Sequence, residues 1–204
     1  DEDAARDERA LGRERQEREG REKRAFQTGR QLERARHVNR RGRGQHSATL
    51  SKDDIRRFEK MLSDLSVSRE RICEAMVFCF ERSMAAKPIS ELLKQALLDD
   101  SQSSSIDKKI SRLYLLSDVL YNSQQPGIKN AFQYRTTIEQ MAPTVFRSLG
   151  AYINASSRGR ITTNKFRKAI SSVLGAWTEW GVFSQTYLDD LDGYFEGREP
   201  TAPT

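Results

Sequence analysis

The sequence has few of the residues that build catalytic, metal-binding or disulfide-linked sites. It contains two cysteines and two histidines in 204 residues. Cys73 and Cys79 lie in one apolar run at a spacing that puts them about 240° apart on a helix, so they cannot bridge each other. We expect two buried thiols in a reduced, intracellular protein. His37 and His46 have no convergent partners close in sequence, so we expect no metal, no cofactor and no general base.

Several other sequence patterns are also missing. No apolar run approaches the ~18 residues of a membrane span, and since residues 1–24 contain no apolar segment we expect no signal peptide there. Glycine-rich phosphate loops, HExxH and GxSxG are absent, so we expect no enzymatic activity. The chain begins with Asp1 rather than Met. We therefore expect it to be a piece of a longer polypeptide or a processed form.

Charge is abundant and unevenly distributed. Residues 1–24 are mixed in sign, with eight basic and nine acidic side chains, whereas residues 25–46 carry a net charge of +5. We predict a charged arm and basic linker over 1–48, which forms a disordered or fraying helical tether or else orders along a partner. The basic residues expected to meet an RNA or protein partner are Arg30, Arg34, Arg36, Arg40, Arg41 and Arg43.

Helical periodicity begins after the arm and predicts an all-α domain over 49–197, followed by a tail over 198–204. Ser51 and Ser68 are placed to cap the first two helices. A fourth helix is predicted over 106–122, and Pro143 is predicted to kink or end the fifth. Two further helices follow, over about 163–180 and 184–195. The aromatic residues there are expected to lock these helices against the domain: Trp177, Trp180, Phe183 and Tyr187.

The fourth helix carries the most informative polar residues. A stripe with spacings of four, three and four runs along one face, and the opposite face is predicted to enter the core. The stripe is Ser111, Leu115, Asp118 and Asn122; the core face is Ile110, Leu113, Tyr114, Leu120 and Tyr121. A carboxylate buried without a partner is costly. Asp118 is therefore expected either to cap or pair inside the protein, or to face a groove and accept a ligand hydroxyl or N–H.

Three separated segments resemble the RNA polymerase II CTD-interaction domain family: SRERICEAMVFC, KKISRLYLLSDVLYNS and AWTEWGVFSQTYLDDL. The resemblance covers about residues 50–196. Within the family, it points to the branch found in U2 snRNP-associated splicing proteins that carry a SURP motif. It implies a right-handed superhelical array of about eight helices, related to VHS and ENTH domains.

The resemblance also implies a peptide groove formed partly by the fourth helix. Asp118 matches the acidic position that receives peptide hydrogen bonds, and Asn122 matches the polar position one turn on. The family's phosphoserine-binding arginine is replaced by Ser172, with Arg167 and Lys168 further upstream. A tyrosine found before the third helix in peptide-binding members is replaced by Ala85 or Ala86.

These features lead to the hypothesis of a nuclear docking domain in a pre-mRNA splicing factor. Its expected partners are spliceosomal proteins of the U2 snRNP and the phosphorylated C-terminal repeat of RNA polymerase II. The alternative is an RNA-binding or protein-assembly module that acts mainly through the basic arm. No membrane partner is expected.

Overall fold

The computed structural model describes residues 49–101, 105–155 and 159–198, and every regular element in those ranges is helical. The all-α prediction is therefore confirmed for the part of the chain described. The predicted arm over 1–48 and the tail beyond 198 lie outside it. A short 3-10 turn, Ser83–Ala85, precedes the third helix. The seven α-helices are α1 Lys52–Ser63, α2 Arg69–Glu81, α3 Ala86–Leu98, α4 Ile106–Ser123, α5 Phe132–Asn154, α6 Arg160–Trp180 and α7 Gln185–Phe195.

Serine hydroxyls define the starts of three helices. Ser51, Ser105 and Ser184 each accept a hydrogen bond from the backbone N–H three residues on, which satisfies one of the donors a helix start leaves open. The predicted cap at Ser51 is thus confirmed. Ser68 occupies the capping position of α2, but its side chain makes no capping hydrogen bond.

The helices form two layers because each packs against the helix two places further along the chain. One layer contains α1, α3, α5 and α7, and the other contains α2, α4 and α6. The helix α4 also contacts α3 and α5, so it lies at the centre of the array. This arrangement of repeated helix pairs is that of a superhelical array.

Two buried cations on α4 tie the layers together. The ammonium of Lys109 is fully buried and donates to the carbonyl of Leu97 at 2.8 Å. The guanidinium of Arg112 donates to the carbonyls of Leu62 at 3.1 Å and Ala96 at 2.7 Å. These acceptors lie in the last turns of α1 and α3, where helix carbonyls lack internal donors and the helix dipole favours positive charge.

The helix α5 continues through Pro143, so this proline does not form the predicted helix boundary, and the predicted kink stays a prediction. Proline lacks an N–H and therefore leaves the carbonyl of the residue four places earlier without its helical donor. That residue is Glu139, and the hydroxyl of Tyr187 on α7 donates to its carbonyl. The missing backbone hydrogen bond is thus replaced from a neighbouring helix.

The same two helices approach closely at Gly150. A methyl group built on Gly150 would overlap the carbonyl group of Phe195, near the end of α7. Any larger residue would therefore have to push the two backbones apart. Gly150 sets the spacing between α5 and α7 along their shared face.

Candidate functional site

The helices α2, α4 and α6 run parallel, and a few specific contacts set their register. Between α4 and α6, Lys165 pairs with Asp107 at 2.6 Å near the helix starts. Further along, the indole N–H of Trp177 donates to the hydroxyl of Ser117 at 3.0 Å. Between α2 and α4, the side-chain amide of Asn122 lies 3.3 Å from the sulfur of Met76. We call the side of this layer that is turned away from the other layer the outer face.

The face of α4 that is exposed to solvent, its outward stripe, is rotated slightly around the helix axis from the predicted polar stripe. The residues exposed or partly exposed along it are Asp107, Tyr114, Asp118 and Tyr121. Two members of the predicted stripe, Ser111 and Leu115, are fully buried, and Asn122 is 5% exposed. Conversely, Tyr114 and Tyr121, which were expected in the core, reach the surface. Asp118 is therefore the one predicted stripe residue with substantial exposure.

The carboxylate of Asp118 is partly buried on this stripe. Among the described residues, no donor is hydrogen bonded to its side chain, although its backbone carbonyl accepts from the Asn122 amide at 2.8 Å. Burial raises the pKa of Asp118 to about 6, and the positive charge of Arg69 on α2 opposes the rise. From the sequence, Asp118 was expected either to pair inside the protein or to face a groove. No internal partner for its carboxylate is seen among the described residues.

Cys73 lies on the α2 side of Asp118. Burial raises the pKa of its thiol, and the negative charge of Asp118 raises it further. Cys79 is fully buried, and burial also raises the pKa of its thiol. Neither thiol is poised to act as a thiolate nucleophile.

Two aromatic rings, those of Tyr121 and Trp180, contact each other at the end of the outer face where α4 and α6 terminate. Tyr121 is 39% exposed, and its ring centroid lies 4.5 Å from that of Trp180 on α6. Trp177 and Phe183 are buried, whereas Trp180 and Tyr187 are partly exposed, so two of the four aromatic residues predicted for the core reach the surface. Sequence reasoning missed Tyr114, Tyr121 and Trp180 as site residues because aromatic side chains usually belong to the core.

The α6 side of the site is lined by small residues. The pairs Asp107–Lys165 and Tyr121–Trp180 fix the register of α4 against α6. This register places Ser172 beside Tyr114 and Ala176 beside Asp118. Ser172 is exposed, and Ala176 is partly exposed. Small side chains at these positions are consistent with the partial exposure of Asp118.

The two predicted basic residues of α6 lie in different environments. Arg167 forms an ion pair with Glu196, donates to Asn154 at 3.2 Å and lies over the ring of Phe195, so it points towards α5 and α7. The structure therefore does not bring Arg167 to the outer face. Lys168 is exposed, with no partner among the described residues, and remains available to a ligand.

Other predicted features lie elsewhere or are not seen in the described ranges. The six arginines of the arm, from Arg30 to Arg43, lie outside the described residues, as do His37 and His46. Residues 49–101, 105–155 and 159–198 contain no cluster of three or more His, Cys, Asp or Glu side chains that could hold a metal ion. No helix in those ranges combines the length and apolar character needed to cross a membrane.

Comparisons with known proteins identify the family to which the domain belongs. A family model described as the CID domain matches residues 56–191. The "Protein RRC1" of Arabidopsis thaliana is 35% identical over 153 residues, which cover 75% of this chain and 16% of that protein. The "Protein RRC1-like" of the same plant is 35% identical over 147 residues, covering 72% and 15%. An uncharacterized protein of Schizosaccharomyces pombe is 25% identical over 168 residues, covering 76% and 35%.

The chain thus spans less than a fifth of the length of its two plant relatives. The assignment to the U2 snRNP-associated SURP-motif branch, made from the resemblance, stays a prediction. The family-level part of that resemblance is confirmed.

Proposed function

This chain belongs to the CID domain family, and we propose on that premise that it is a non-catalytic docking domain whose outer face binds an extended peptide. The proposed peptide is the phosphorylated C-terminal repeat of RNA polymerase II. The proposed setting is a nuclear pre-mRNA splicing factor associated with the U2 snRNP.

The observation that carries the proposal is the position of Asp118. It lies on the outward stripe in the second half of the central helix, and its carboxylate has unused acceptor capacity within the described residues. A partly desolvated carboxylate forms strong, charge-assisted hydrogen bonds with the hydroxyl or N–H groups of a ligand. An extended peptide exposes such donors along its whole length.

Lys168 is the basic residue best placed to contact a phosphate group on such a peptide. It is exposed, whereas Arg167 is engaged by Glu196. A single flexible ammonium contacts a phosphate without the paired geometry of a guanidinium. We therefore expect phosphorylation of the repeat to add about 2- to 5-fold in affinity, a modest increment for one exposed ion pair.

The test is a fluorescence anisotropy titration of the 204-residue chain with phosphorylated and plain two-heptad peptides. Asp118→Asn should weaken both peptides, and Lys168→Gln should reduce only the gain from phosphate. The matched control is Asp190→Asn on α7, a partly exposed aspartate in the other layer. Absence of binding by both peptides, or binding that Asp118→Asn leaves unchanged, contradicts the proposal.

The basic segment over 25–46 supports a second function, RNA or protein binding through the arm. Its net charge of +5 attracts phosphate-rich partners in a salt-dependent manner. Removing residues 1–46 should then abolish RNA binding and its salt dependence. Binding that persists at the same salt slope contradicts this function.

A further inference from the structure

One end of the outer face combines a carboxylate with three aromatic side chains. Tyr114 and Tyr121 flank Asp118 by one helical turn on either side, which brings their side chains within contact range of it. Trp180 lies against Tyr121 at 4.5 Å between ring centroids. We call Tyr114, Asp118, Tyr121 and Trp180 the aromatic–acid site.

The chemistry of this site opposes anions. A negative carboxylate repels a phosphate directly, and the faces of aromatic rings carry negative electrostatic potential. The cation whose charge acts on Asp118, Arg69 on α2, is exposed and forms no ion pair with it within the described residues. Ser172 supplies no positive charge from the α6 side.

The same chemistry favours a cation. A guanidinium group lies flat on tyrosine and tryptophan rings and donates two parallel hydrogen bonds to a carboxylate. Its charge is delocalised and weakly hydrated, so it loses less on partial burial than an ammonium does. Arginine therefore satisfies both parts of the site at once, the acceptor and the rings.

We propose that the aromatic–acid site is a subsite for an arginine side chain of the docked peptide. This inference rests on the proposed docking function and adds a specificity to it. The peptide selected by the outer face would then carry an arginine over α4 near Asp118. Any phosphate on it would lie towards the helix starts, where Lys165 and Lys168 are exposed.

Peptides that differ in one side chain test the proposal. The probes are two-heptad repeat peptides with arginine, lysine or citrulline substituted in turn at each heptad position. Citrulline has the shape of arginine without its charge. At the best position we expect arginine to bind about tenfold tighter than citrulline, with lysine in between, as a charge-assisted hydrogen bond and a cation–π contact together imply.

The two tryptophans provide a readout of location. In a nitrogen-15 NMR titration, arginine peptides should shift the indole signal of Trp180 and leave that of buried Trp177 in place. Asp118→Asn and Tyr121→Leu should each remove most of the arginine preference. Asp190→Asn should retain it, and circular dichroism checks that each variant is folded.

The outcomes separate this inference from the docking proposal. Suppose that plain and phosphorylated repeats bind, but that arginine and citrulline peptides bind with equal affinity or the arginine peptide still binds more tightly to Asp118→Asn. The arginine subsite is then overturned and the docking function stands. A Gly/Ser peptide with one arginine is the second probe. Suppose that this peptide shifts the Trp180 indole signal of the wild-type chain but not that of Asp118→Asn, and that no repeat peptide binds. The arginine subsite then stands, and the polymerase repeat is overturned as the ligand.

Discussion

The hydroxyl of Tyr187 donates to the backbone carbonyl of Glu139, the acceptor that Pro143 leaves without its helical donor. This one hydrogen bond explains two features together. The helix α5 passes through a proline without breaking, and a tyrosine rather than a phenylalanine joins α7 to it. Aromatic contact alone, such as that of Tyr187 with Phe183, would not require the hydroxyl.

We predict that the hydroxyl of Tyr187 and the ring of Pro143 are energetically coupled. Tyr187→Phe should lower the free energy of unfolding by about 0.5–1.5 kcal/mol because the Glu139 carbonyl loses its donor. In a Pro143→Ala background, the restored backbone N–H should reduce that cost. Urea unfolding of the four proteins in this double-mutant cycle measures the coupling. Equal costs in both backgrounds would show that the hydroxyl does not replace the missing bond.

A second prediction concerns the buried ammonium of Lys109. Lys109→Met removes the donor to Leu97 and the ion pair with Asp100 at 2.8 Å. It should destabilise the domain by about 2–4 kcal/mol because the end of α3 is left with an unsatisfied carbonyl. Lys108→Met is the control, since that side chain is partly exposed, and it should cost less than about 0.5 kcal/mol. Comparable losses for the two variants would contradict the capping role.

The third prediction is a pH dependence set by Asp118. The pKa of this carboxyl is raised from 3.8 to about 6, so the folded state favours its neutral form. Its favourable contribution is therefore present below pH 3.8 and is lost as the pH rises towards 6 and above. At pH 7.5, Asp118→Asn should raise the free energy of unfolding by about 1–3 kcal/mol.

The gain from Asp118→Asn should shrink towards zero near pH 4, where wild-type Asp118 is also largely neutral in the folded state. Unfolding measured at both pH values, with Asp190→Asn as reference, checks this. A gain that is equal at both pH values would assign the effect to something other than ionisation. A stabilising substitution that also removes binding would identify Asp118 as a residue kept for function at a cost in stability.

The fourth prediction compares two glycines within helices. Gly150→Ala should destabilise the domain by about 2–4 kcal/mol, because its methyl group would overlap the Phe195 backbone and separate α5 from α7. Gly175→Ala on α6 should be neutral or stabilise by up to about 1 kcal/mol, since a methyl group there meets no atom within 4 Å. Thermal and urea unfolding distinguish the two. Equal tolerance of alanine would show that the helices can separate freely.

Helix positions could be predicted from sequence because local signals determine them. Ser51 marked the start of α1, and the predicted fourth helix over 106–122 agrees with α4, Ile106–Ser123, to within one residue at its end. The course of α5 through Pro143 could not be predicted, because the donor that compensates for the proline comes from Tyr187, 44 positions later. A local pattern does not carry that information.

The rotation of α4 was harder to predict than its extent. Apolar residues occur on nearly every side of this helix, so the sequence pattern does not strongly favour one outward face. Asp118 was predicted either to pair inside the protein or to face a groove, whereas Tyr114 and Tyr121 were assigned to the core. Arg167 was assigned to the groove by its position along α6, but its angle around the helix carries it to Glu196.

The parallel course of α2, α4 and α6 gives the outer face a polarity of its own. Peptide dipoles in the three helices add, so the edge where they begin is electropositive and the edge where they end is electronegative. Lys108, Lys165 and Lys168 strengthen the first edge, and Asp118 lies towards the second. A ligand with unlike charges at its two ends therefore meets a surface that distinguishes its forward from its reversed orientation.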